Sequence, residues 1–111
     1  MRSRLLSIAL ALSAVLGAPS LAADPLQYTL TIKDHVFAPT DLEVPAGQKF
    51  ELRVVNQDKT AEEFESKDLH REKIIPGGGA ITLVLGPLRP GSYEFFGEFN
   101  PKTARGKIIA R

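Results

Sequence analysis

GSYEFFGEFNPKTARGKIIAR, from Gly91 to Arg111, is the stretch on which the reading of the fold turns. Tyr93 and Phe95 alternate with Ser92 and Glu94 up to Gly97, and Ile108 and Ile109 resume the apolar run after Gly106. Alternation with period two is the mark of extended chain with one face turned inward. Between the two runs lies a polar connection, EFNPKTAR, from Glu98 to Arg105. The stretch therefore predicts two strands joined by a short loop, and the loop is where chemistry is expected.

Upstream, the same period recurs. Leu26, Tyr28, Leu30 and Ile32 alternate with polar residues, as do Phe50, Leu52 and Val54, and Ile81, Leu83 and Leu85. Shorter extended pieces are expected at Leu42 to Val44 and at Glu62 to Ser66, the latter anchored by Phe64. Turn signals separate them: Pro45 with Gly47, Pro76 to Gly79, and GPLRPG from Gly86 to Gly91. The charged segment KDLHREK, Lys67 to Lys73, fits either a helical turn or a solvated bend. Seven or so short strands with no convincing long helix predict an all-β, Greek-key β-sandwich.

Ahead of this domain, Arg2 and Arg4 precede the uncharged run LLSIALALSAVLGAPSLA. That pattern predicts a secretory signal peptide over residues 1–22, with Ser20 and Ala22 at the small-residue positions before cleavage, and a single domain over 23–111. Export to the periplasm is the expected localisation. No other stretch is apolar for long enough to span a bilayer, so no transmembrane segment is expected in the mature chain. Of the 14 Lys and Arg, Arg2 and Arg4 belong to the leader, which leaves the 13 acids in slight excess. This balance gives no reason to expect nucleic acid as a partner. Cysteine is absent and Met1 is the single methionine, so no sulfur ligand is available to a metal. Stability must come from packing rather than from disulfides.

LEVPAGQKFELRVVN (Leu42 to Asn56), TAEEFE (Thr60 to Glu65) and GSYEFFGEFNPKTARGKI (Gly91 to Ile108), in that order, resemble the cupredoxin pattern. The resemblance implies the blue-copper sandwich, with one ligand after the VVN strand and the others from the closing loop. Carried over by position, the first family histidine falls at Glu62 or Glu63, the cysteine at Gly97, the second histidine at Asn100 and the axial methionine near Ala104. None of the usual ligands is present, so no type-1 copper centre is expected. EEFES, the KIIPGG turn, GPLRPG and FFGEF resemble more closely a cupredoxin-like subgroup associated with bacterial periplasmic iron uptake. In that subgroup the closing loop usually carries histidine where this chain has Asn100.

Candidate ligands come from an acidic stretch that holds Glu62, Glu63, Glu65, Asp68, His70 and Glu72, with Glu98 expected across the same end of the sandwich. Carboxylates with an imidazole suit iron or copper(II) better than copper(I). Interspersed Lys59, Lys67, Arg71 and Lys73 allow the alternative of a solvated, charge-paired edge. If Phe64 points into the core, Glu62 does so too. A carboxylate there needs a cation or hydrogen-bond donors, so Glu62 is either a ligand or a hydrogen-bond partner of the closing loop. Glu98 is a strand-end ligand or an exposed acid, Asn100 a turn residue or a weak amide ligand, and His35 a surface residue or a ligand. Phe95, Phe96 and Phe99 read as core, with Phe96 or Phe99 as an alternative apolar docking rim.

No nucleophilic triad or phosphate loop is recognisable, which argues against an enzyme. The first expectation for function is a periplasmic accessory protein of iron or copper uptake, with a carboxylate-rich site and a periplasmic or inner-membrane metal-transport protein as partner. A metal-free interaction module and a copper-dependent ferrous-iron oxidase component are the alternatives.

Overall fold

The computed structural model describes residues 25–111, so the expected leader at residues 1–22 lies outside the described residues. Nine strands follow one another: β1 (Leu26–Lys33), β2 (Val36–Ala38), β3 (Asp41–Val44), β4 (Phe50–Asn56), β5 (Glu62–Ser66), β6 (Arg71–Ile75), β7 (Ala80–Leu85), β8 (Gly91–Gly97) and β9 (Arg105–Ala110). They form a four-stranded sheet, β2-β1-β4-β7, and a five-stranded sheet, β3-β9-β8-β5-β6. The chain changes sheet between β2 and β3, so β1 runs parallel to β4 and β3 runs parallel to β9. No described helix is long and apolar enough to cross a membrane.

The alternating residues decide what lies between the sheets. Leu30, Ile32, Leu52, Val54, Leu83 and Leu85 line one wall, and Val44, Phe64, Ile75, Phe95, Ile108 and Ala110 the other. Phe37, Phe64 and Phe95 meet at the centre, with ring centroids 5.1 to 6.3 Å apart. Each such buried ring contributes about 1.5–3 kcal/mol of hydrophobic stabilisation. Parity then corrects part of the aromatic reading. Phe95 faces inward, so its neighbour Phe96 faces outward, half-buried beneath Arg105, whose guanidinium carbon is 5.4 Å from the ring centroid. Phe99 lies beyond the strand end and is 50% exposed. Only Phe95 of the three is core.

The charged segment resolves into two parts. Lys67 to His70 forms a turn, with His70 in the left-handed region at φ 57°, and Arg71 already begins β6. Because β6 is an edge strand, Arg71, Glu72 and Lys73 all face solvent, which discourages pairing with another chain. Arg71 Nη2 also donates to the Val84 carbonyl at 2.7 Å and so ties this edge to the neighbouring sheet.

At the end of the sandwich where β4 finishes, Asn56 organises the connection that leads to β5. Its buried amide donates to the carbonyls of Thr60, Ile75 and Pro76, and its Oδ1 accepts from the Asp58 N–H. The turn at Pro76 to Gly79 packs so tightly on this connection that a Cβ at Gly77 would overlap the Lys59 carbonyl. On the other side, the Asp58 carboxylate accepts the backbone N–H groups of Asp34 and His35 at 2.7 and 3.0 Å. Both of those residues have positive φ, so the carboxylate holds the tight β1–β2 turn in its left-handed conformation.

Asp58 yields a test. The N–H of His35, then that of Asp34, holds its carboxyl below the ordinary value of 3.8. A group with a lowered folded pKa adds stability that is present above its unfolded pKa and is lost as pH falls through the folded value. Asp58→Asn is therefore expected to lower the unfolding midpoint at neutral pH. The difference from wild type should shrink on acidification below about pH 4, as measured by thermal unfolding across a pH series.

Candidate functional site

β5 carries the site, and strand parity divides it in two. Glu62, Phe64 and Ser66 face inward, whereas Glu63 and Glu65 face out. Glu62 is 1% exposed. Its Oε1 accepts the N–H of Glu63 at 2.9 Å and that of Phe99 at 2.8 Å, and its Oε2 accepts Asn100 Nδ2 at 2.8 Å. Three donors thus meet a buried carboxylate, the condition under which such a group is tolerated in a core. Of the two positions aligned with the first family histidine, Glu62 is the one that faces the closing loop.

Gly97 and Ala104 complete this end. A Cβ at Gly97 would lie 2.6 Å from both Cδ and Oε2 of Glu62 and 2.8 Å from the Ala104 Cβ. The loop between them is closed by its own backbone: Gly97 N–H to the Ala104 carbonyl, Asn100 N–H to the Gly97 carbonyl, and Ala104 N–H to the Asn100 carbonyl, at 2.8 to 3.1 Å. The positions aligned with the four copper ligands, Glu62, Gly97, Asn100 and Ala104, therefore do converge. Their chemistry does not suit copper of the blue type. A thiolate and two imidazoles are required, whereas two of these positions have no donor atom and the other two are bonded to each other.

The outer face of the same strand is different in kind. Carboxylate oxygens of Glu63, Glu65 and Glu72 lie within 4.8 Å of one another. Register explains this, because β5 pairs with β6 so that Glu65 sits opposite Glu72. Loss of water around the Glu65 carboxyl, then its hydrogen bond with Glu72 and the charges of Glu72, Glu63 and Glu98, push its pKa above the ordinary 4.5. The ion pairs among the described residues, His35 with Asp58 and Arg111 with Glu43, involve none of these acids. Arg105, on the strand beyond Phe96, stacks on that ring and donates to the Pro101 carbonyl.

The remaining candidates separate accordingly. Glu98 belongs to the outer group: its N–H donates to the Glu63 carbonyl and its charge acts on Glu65. His70 shares a shallow surface recess with Glu65, Lys67, Arg71 and Glu72. His35 lies in the β1–β2 turn of the other sheet, with Nδ1 3.6 Å from Asp58 Oδ2. Asn100 is committed to Glu62. Asp68 lies in the turn after β5, where its carboxylate accepts the Glu94 N–H of β8 at 2.8 Å. Asn56 and Asp58 take on roles here that the sequence pattern did not signal. Glu72, one acid among several in the sequence, becomes a central member of the outer cluster. The sequence carries no alternation that would signal it, because residues 71–74 of this edge strand are all exposed.

Comparison with known proteins agrees with this geometry. The cupredoxin-like domain family matches residues 6–110. An uncharacterized protein of Rickettsia prowazekii (strain Madrid E) is 52% identical over 84 residues, which is 76% of this chain and 67% of the relative. Among solved structures, auracyanin A, a blue copper protein of Chloroflexus aurantiacus, superposes with a TM-score of 0.67 at 13% identity, covering 79% of this chain and all of that one. Amicyanin from Paracoccus versutus gives 0.60 at 18% identity, covering 82% and 85% of the two chains. At such identities the likeness is one of fold. Together with the family match over nearly its whole length, it shows that the chain belongs to the cupredoxin-like domain family.

Proposed function

We propose that the chain is an exported accessory protein of metal uptake that holds a hard or borderline cation, iron or copper(II), on the outer face of β5 and β6. In this reading Glu63, Glu65 and Glu72 supply the ligands, with Glu98 and His70 at the margin. The cation passes to or from a periplasmic or inner-membrane transport protein. The observation that carries the proposal is the approach of three carboxylate oxygens to within 4.8 Å with no lysine or arginine paired to them among the described residues. Like charges held so close by strand register cost stability. A divalent cation converts that repulsion into coordination, because carboxylate oxygens suit such ions. Glu63 and Glu65 are half-buried while Glu72 is exposed, so the cluster can be reached from solvent, as a site that must release its ion to a partner requires.

A second reading, a metal-free interaction module, is favoured by a separate observation: Phe99 stands half-exposed on a loop whose backbone is internally bonded. The two readings differ in what they require. The first needs the outer carboxylates, and the second needs the loop tip. Turnover of ferrous to ferric iron would add an enzymatic role to the first.

Calorimetric titration with copper(II) and, anaerobically, with iron(II) tests the proposal. Saturable one-to-one binding is expected, weakened about tenfold or more by Glu65→Gln or by Glu72→Gln, the equivalent of at least ~1.4 kcal/mol for each ligand lost. Phe99→Ala should leave it unchanged. Absence of saturable binding by the wild-type chain would overturn the metal reading in favour of the interaction module. The same cluster predicts a stability effect without metal. A carboxyl whose folded pKa is raised adds stability below its unfolded pKa, and that stability is lost as pH rises through the folded value. Glu65→Gln should accordingly raise the unfolding midpoint at neutral pH, and the gain should vanish below about pH 4.5.

A further inference from the structure

We infer that the buried Glu62 carboxylate fills the end of the sandwich that the metal and its ligand side chains share in a copper-bearing cupredoxin, and that it does the ion's structural work. It cross-links β5 to the closing loop, so that this end of the sandwich is complete without a metal. The inference is independent of the outer-face carboxylates, which belong to the opposite parity of the same strand.

Three observations carry it. The first is position: Glu62 converges with Gly97, Asn100 and Ala104, and its carboxylate fills the space that a side chain at Gly97 would need. The second is bonding. Both oxygens reach the loop, Oε1 to the Phe99 N–H and Oε2 to Asn100 Nδ2, while Oε1 also accepts the N–H of Glu63 on its own strand. A ligand-bearing loop is normally held by bonds from its side chains to the ion. Here the anion is supplied by the strand and the donors by the loop, which reverses the charge of the cross-link. The third is fit. An ion that took up the Glu62 oxygens would have to displace the donors from Phe99 and Asn100, in a space already bounded by Gly97 and by the Ala104 Cβ. The donor set left to such an ion would be one carboxylate and one amide oxygen, short of what any four-coordinate site requires.

The consequence is a loop fixed before any ligand arrives. Phe99 donates its N–H to Glu62 while its ring is half-exposed, so the carboxylate holds the backbone from which that ring projects.

Amide hydrogen exchange, read by nuclear magnetic resonance on the full chain, on Glu62→Gln and on Glu62→Gln/Asn100→Asp, tests the assignment. Glu62→Gln keeps the shape but replaces the charged acceptor with a neutral amide, so the bond from the Phe99 N–H loses its charge assistance and Asn100 must turn its own amide over to present an oxygen to the new donor. Protection of the Phe99 and Asn100 amides is expected to fall about tenfold or more. In the double variant the acid and the amide exchange places. The amide oxygen introduced at position 62 still accepts both backbone N–H groups, and the amide nitrogen beside it donates to the new carboxylate at position 100. Protection is expected to return to within a few-fold of wild type, and this comparison decides the matter even if the single variant does not fold. A double variant that fails to regain protection, or a single variant that loses none, would overturn the assignment. Zinc(II) titrated into the wild-type chain provides a second readout. The amides of Gly97, Phe99 and Asn100 should keep their chemical shifts, with any saturable change confined to Glu63, Glu65, Glu72 and the marginal Glu98 and His70. Saturable shifts at Phe99 and Asn100 that are absent from Glu62→Gln would place a metal at Glu62 and refute the inference without touching the outer-face proposal.

Discussion

A carboxylate enclosed at the end of an apolar sandwich is costly to desolvate, and the cost is bearable only where donors replace the lost water. Glu62 is in that position, and much of the local structure follows from it. β5 must begin where it does for the side chain to point inward. Residue 97 must lack a Cβ because Cδ and Oε2 of Glu62 lie where that atom would be. The loop must turn at Asn100 so that one backbone N–H and one side-chain amide arrive on the two oxygens together. The same three positions align with a histidine, a cysteine and a second histidine in a copper protein. One geometric frame thus supports two opposite arrangements of charge.

The frame itself rests on neutral contacts. Packing of Phe37, Phe64 and Phe95 fixes the separation of the sheets, and the Asn56 amide gathers three carbonyls at the end of β4 to shape the connection that delivers Glu62. Asn56 reaches across to Ile75 and Pro76 as well, so the start of β5, the end of β6 and the glycine turn are set by one side chain. Loss of the family ligands therefore leaves the architecture intact. Its determinants are the period-two core and this polar hub, neither of which involves a metal.

How far the sequence anticipates the structure depends on how each residue advertises its face. Long alternating runs such as Leu26 to Ile32 and Phe50 to Val54 are unambiguous, and they supply the paired central strands of the four-stranded sheet. The inward direction of Glu62 could be read from its spacing to Phe64, since residues two apart on a strand share a face. β6 was hidden because an exposed edge strand presents charges on both faces and therefore shows no hydrophobic alternation. With β6 unseen, the meeting of Glu65 and Glu72 was out of reach, because cross-strand register is not a local property. Phe96 and Phe99 mislead for a related reason. An apolar residue next to a core residue has the wrong parity for the core, and one past the strand end has no parity at all. That Glu62 hydrogen-bonds the loop, rather than merely facing it, needed the conformation of residues 98–104, which hydrophobic pattern does not encode.

Parity also bears on function. Glu62 and Glu63 are adjacent in sequence yet face opposite sides of one sheet, so the same EEFES segment serves a closed, fully satisfied interior contact and an open, unsatisfied exterior cluster. The interior acid is tied by hydrogen bonds and has little left to offer a ligand. The exterior acids repel one another and are stabilised by whatever cation approaches. In a copper cupredoxin the loop end is both the structural cross-link and the metal centre. In the reading proposed for this chain the two roles fall on different faces of β5, and a substitution on one face need not disturb the other. An ion bound outside would be gained or lost without loosening the loop, which leaves the half-exposed Phe99 ring equally well placed in the loaded and the empty protein.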